Sequence, residues 1–100
     1  MRRRRHKLDS EALRQIVKML TEIDSECEMT SLLEVLFTPT EISDLALRWR
    51  LLAMLSAGVP QREIARRLRV SLCKITRGSK ILKSDSEALP RLKASFGDSE

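Results

Sequence analysis

Apolar residues recur along this chain at intervals of three and four, the period of helices with one buried face; no stretch predicts a strand. Leu13, Ile16, Val17, Leu20, Ile23 and Cys27 make one stripe, and Asp9 or Ser10 stands where its start would be capped. The spacing predicts an amphipathic helix of about five turns. Residues 30–36, TSLLEVL, predict a second, short apolar helix. Neither stripe has enough apolar surface near it in sequence to be covered, so both predict elements that pack against another chain.

The best-specified helix follows. Thr38 is a natural N-cap, Pro39 suits the first turn and Glu41 completes a capping box. Leu45, Arg48 with Trp49, Leu52 and Leu55 continue one face until Gly58, which offers a left-handed stop. Pro60 then opens a short helix over 60–67 with Ile64, Ala65 and Leu68 inward, and Ser71 caps a helix that runs to about Lys83. SDSEALPRLKASF predicts a last short helix whose start is obscured by Pro90. The class is all-α.

Between residues 60 and 83 the spacing is that of a helix-turn-helix. Ile64 and Leu68 meet Ile75, Ala65 gives clearance, and Val70 plugs the corner behind Arg69. The outward positions, Gln61, Arg62, Leu72, Cys73, Thr76, Lys80 and Lys83, mix hydrogen-bonding, basic and small apolar groups. That is the mixture that phosphates, base edges and thymine methyls require. Ala65, Lys74 and Arg77 complete the set expected to face DNA.

Charge sharpens this reading. The net charge of +5 is unevenly spread: residues 1–7 hold five bases and no acid, residues 8–44 nine acids against two bases, and residues 45–84 ten bases against the single acid Glu63. The basic block coincides with the helix-turn-helix, so a polyanion is the expected partner. An ordinary helical hairpin with a solvated basic face would not need that segregation.

Other chemistry is sparse. There is one histidine, His6, in the basic tail, and no glycine-rich phosphate loop, metal-spaced cluster or acid–base carboxylate pair, so no catalytic or metal site is expected. Cys27 and Cys73 give no disulfide framework and suit a reduced, cytoplasmic setting; Cys73 suits a small apolar contact to DNA better than a reactive thiol. No apolar run reaches the roughly 20 residues of a membrane span, and MRRRR lacks the apolar stretch of a secretory signal. With 42 % hydrophobic content over 100 residues, a basic arm at 1–8, expected to be disordered, precedes a single helical domain at 9–96. On the residues alone Arg48 suits a surface position with its stem along apolar neighbours.

FTPTEISDLALRWRLL followed by QREIARRLRVSLCKITRGSKILK resembles the Trp repressor family over residues 32–83, most clearly in Thr38-Pro39-x-Glu41, Arg48-x-Arg50, Gln61-Arg62-Glu63 and Ile75-Thr76-Arg77-Gly78-Ser79. The resemblance implies an intertwined homodimer that binds operator DNA when L-tryptophan is bound as corepressor. It places the ligand between the core and the recognition helix. Arg48 and Arg77 would then sandwich the indole, as planar guanidinium groups do with aromatic faces. Arg77 would pair with the carboxylate beside the Thr38 hydroxyl, and carbonyls near Val35 and Phe37 of the partner subunit would take the ammonium group. Gly78 would let the ring approach the backbone, and Ile81 would contribute its carbonyl. A different effector, or none, is the alternative. The sequence departs from the family pattern at Lys74, where threonine is usual, at Ile81, where serine is usual, and at Arg69 and Ser71, which replace small glycine-type positions.

Overall fold

The computed structural model describes residues 2–97, with side chains from residue 9 onward. Among the described residues six helices account for the regular structure: α1 (Arg2–Thr21), α2 (Glu26–Leu36), α3 (Pro39–Ser56), α4 (Gln61–Leu68), α5 (Leu72–Leu82) and α6 (Leu89–Gly97). No strand occurs among the described residues.

The first two boundaries differ from those expected. Helix α1 starts at Arg2, ahead of the Asp9–Ser10 position, because arginine is a good helix former and nothing before Thr21 interrupts the run. It ends at Thr21 and not near Cys27. Cys27 belongs to α2, whose N-cap is Ser25; the Ser25 hydroxyl accepts from the Glu28 N–H at 3.2 Å. The apolar stripe happened to stay in phase across the break, which hid the cap. The expectations for the arm, disorder and phosphate contact, fall on residues 1–8, whose side chains lie outside those described.

The later helices start and stop as their caps dictate. The Thr38 hydroxyl accepts from the Glu41 N–H at 3.1 Å, while the Glu41 carboxylate accepts from the Thr38 N–H at 2.9 Å, a reciprocal capping box. Gly58 ends α3 with φ +86°, and Val59 N–H donates to the Met54 carbonyl, the closing bond of a Schellman turn. Pro60 caps α4 without a side-chain bond, and Ser71 caps α5 by accepting from the Lys74 N–H at 3.3 Å. Between α4 and α5, Arg69 turns the chain in the left-handed region, φ 55° and ψ 47°, where glycine is the usual residue. Pro90 falls in the first turn of α6, where its missing N–H has no helical partner to lose.

The chain divides into two compact units, Met1–Ile42 and Ser43–Glu100. Within the first, none of the described residues is buried. Its stripe residues Leu13 and Val17 stand exposed, as do Val35, at 80 %, and Leu36. The second unit holds the core. Ile64 and Ile75 are fully buried where α4 packs on α5, with Leu51 and Leu52 of α3 and Phe96 of α6 around them. Ala65, Leu68 and Val70 pack against this cluster, as the helix-turn-helix spacing predicted. Trp49 meets Phe96 edge to face, ring centroids 4.7 Å apart, a packing contact of the kind aromatic pairs favour.

Candidate functional site

Helices α3 and α5 each turn a two-turn face toward one cleft. From α3 come Asp44, Leu47, Arg48 and Leu51; from α5 come Lys74, Arg77, Gly78 and Ile81; Val70 of the turn completes the lining. Both sets follow the i, i+3, i+4, i+7 rule that places residues on one helix face. The cleft is open to solvent on one side and encloses about 140 Å³. An apolar cavity of roughly 150 Å³ takes up a benzene ring, so the space suits a flat aromatic group.

Four of the seven residues expected to hold a ligand meet here: Arg48, Arg77, Gly78 and Ile81. Lys74, assigned to DNA from its position, lines the cleft as well. Thr38, Val35 and Phe37 belong to the other unit, which ends at Ile42. Thr38 is exposed and its oxygen already accepts the Glu41 N–H, which leaves its hydroxyl proton to donate. Asp44, Leu47, Leu51 and Val70 were not foreseen. The signal was present for three of them, since positions 44, 47 and 51 share the helix face of Arg48.

Gly78 has a role the sequence did not disclose. It is buried, and a Cβ built there would overlap Leu51 Cδ2 and lie 3.2 Å from Leu55 Cδ1 and 3.4 Å from Leu52 Cδ2. The missing side chain therefore makes room first for the apolar face of α3. Gly78 also lines the cleft, where clearance for a ring is expected of it.

The outer surface of α4 and α5 carries the other expected positions. Gln61, Arg62, Leu72, Cys73, Thr76, Lys80 and Lys83 are exposed, together with Arg77 and Lys74 at the cleft. Ala65 differs: it is half-buried and packs on the core, where a larger side chain would hold the helices apart. Glu63, the lone acid of this surface, bonds Arg67 Nε at 2.7 Å and also pairs with Arg66. The Arg67 and Arg66 guanidinium groups hold its carboxyl below the usual carboxylate range. Two arginines are thus partly neutralised within α4, while Arg62, Lys80 and Lys83 make no ion pair among the described residues.

Among the described residues no helix is long and apolar enough to cross a membrane, and no group of three or more histidine, cysteine or carboxylate side chains is placed to hold a metal ion.

Known proteins resemble this chain in sequence. The family model for the Trp repressor protein matches residues 11–92, more of the chain than residues 32–83, on which the resemblance was clearest. A Trp operon repressor homolog of Vibrio parahaemolyticus is 42 % identical over 76 residues, covering 74 % of this chain and 73 % of the relative. Homologs of the same description from Pasteurella multocida and Xylella fastidiosa (strain 9a5c) are 38 % and 36 % identical. The first alignment covers 68 % of each chain, the second 76 % of this chain and 84 % of the relative. No solved structure gives a significant match. A basic helix-turn-helix with a cleft behind its second helix, matched over most of its length, makes this chain a member of the Trp repressor family of DNA-binding transcriptional regulators, which are not enzymes.

Proposed function

We propose that this chain is a tryptophan-dependent repressor. It acts in the cytoplasm as an intertwined homodimer, with residues 9–96 forming one helical domain per subunit, and binds operator DNA when L-tryptophan occupies the cleft. The observation that carries the reading is that Arg48, Arg77 and Gly78 share one cleft whose second wall is the helix that also presents Thr76, Lys80 and Lys83 outward. A ligand between α3 and α5 touches the element that reads DNA, so occupancy can set that element's angle and with it the affinity. Arg48 and Arg77 stack on the indole and Arg77 pairs with the carboxylate, assisted by the Thr38 hydroxyl. Ile81 contributes its carbonyl, and carbonyls near Val35 and Phe37 of the partner subunit complete the site. Gln61, Arg62, Leu72, Cys73, Lys74, Thr76, Arg77, Lys80 and Lys83 face operator DNA, and the basic arm adds phosphate contacts.

Gel-shift titration with and without L-tryptophan tests the switch; operator affinity indifferent to tryptophan would overturn it. Arg77→Ala should weaken both ligand and DNA binding, whereas Lys83→Ala should weaken DNA binding with ligand affinity intact. A second reading, the same module with another effector, is favoured by Lys74 and Ile81 standing on the cleft wall. Calorimetry against L-tryptophan, indole and other amino acids separates the two.

A further inference from the structure

The walls of the cleft carry more charge than the expected ligand residues explain. Arg48, Lys74 and Arg77 are cations, and Asp44 is the one carboxylate among the lining residues. None of these four side chains makes an ion pair among the described residues, where the only pairs are those of Glu63 with Arg66 and Arg67. Asp44 and Arg48 are spaced i, i+4 on α3, the spacing at which opposite charges on a helix surface meet, and yet they remain apart. Both signs of charge are therefore present and uncommitted around a space that suits one flat ring.

We propose that Asp44 receives the ammonium group of a zwitterionic α-amino-acid effector, and so selects the amino acid against the corresponding carboxylic acid. The inference rests on the effector reading above and adds to it a determinant within the same chain. A carboxylate accepting from an ammonium group forms charge-assisted hydrogen bonds, stronger than those of a neutral carbonyl. Cations from both walls remain for the ligand's own carboxylate. A ligand that lacks the ammonium group leaves Asp44 without a partner and brings a second negative charge beside it, which works against binding. Asp44 is exposed and makes no hydrogen bond among the described residues, so the fold does not depend on it.

Calorimetric titration of the full-length dimer with L-tryptophan and with indole-3-propionate, which differs by loss of the ammonium group, tests this. The wild type should bind L-tryptophan roughly tenfold or more tightly than indole-3-propionate, as expected for a hydrogen-bonded charge. Asp44→Asn should weaken L-tryptophan by about the same factor and leave indole-3-propionate unchanged or tighter, and Asp44→Glu should restore part of the preference. A wild type without the preference, or Asp44→Asn retaining it, overturns the role of Asp44 and leaves the effector reading standing. A wild type that binds neither compound overturns both.

Discussion

Gly78 is where one atom decides most. Glycine costs a helix interior about 1 kcal/mol relative to alanine, so on propensity alone Gly78→Ala would stabilise α5. The space argues the other way, because the added methyl falls on Leu51 Cδ2 in a core where Leu51 is only 4 % exposed. Overpacking of this kind costs roughly 1–3 kcal/mol, and the leucine terminus can relieve part of it by shifting. The balance predicts a net loss of about 1 kcal/mol in denaturant unfolding. Leu51 also lines the cleft, so its displacement should weaken effector binding as well. A double-mutant cycle separates causes: in the Leu51→Ala background, Gly78→Ala should cost less and turn stabilising. An unchanged cost in that background would refute the packing role.

At the scale of the element, α4 joins its charges end to end. Glu63 stands in its first turn and Arg66 and Arg67 in its last, which suits the helix dipole as well as the pairs. The carboxyl of Glu63 is held below its ordinary value by Arg67 and Arg66, so its ionised form is favoured in the folded state. Its contribution is therefore complete above the unfolded-state pKa, about 4.3, and is lost as pH falls through the lowered folded value. Wild type should melt slightly above Glu63→Gln at neutral pH, and the difference should close in acid. A gap that persists below the lowered value, or is absent at pH 7, would contradict the pairing. The elements themselves were largely legible, because Thr38, Gly58 and Ser71 act through local bonds that sequence spacing encodes. The gap between α1 and α2 was not, since Ile23 and Cys27 kept the period of a continuous helix across it. The cleft was half legible: Arg48 and Arg77 followed from the family pattern. Asp44 required asking which residues share Arg48's face. That Gly78 serves the leucines of α3 required knowing where its absent Cβ points.

At the scale of the whole molecule, the described part of the unit ending at Ile42 has no buried residue, while Leu13, Val17, Val35 and Leu36 stay open to solvent. Apolar area on that scale is worth roughly 25 cal/mol for each Å² removed from water, and a second copy of the chain is the surface that a family of dimers supplies. The same pairing would place two recognition helices on DNA about one helical turn apart. Linking two weak half-site contacts raises overall affinity by roughly 10²–10⁴ without any new contact. Leu13→Glu combined with Val17→Glu sets two like charges on the stripe and should dissociate the dimer. Sedimentation should then report a single-chain mass at micromolar concentration. Operator affinity should fall by about the linkage factor, while a single half-site is bound as before. The melting temperature of the wild type, but not of the variant, should rise with protein concentration. A variant that sediments as a single chain yet binds the full operator as tightly as wild type would show that the apolar stripe does not act through dimerisation.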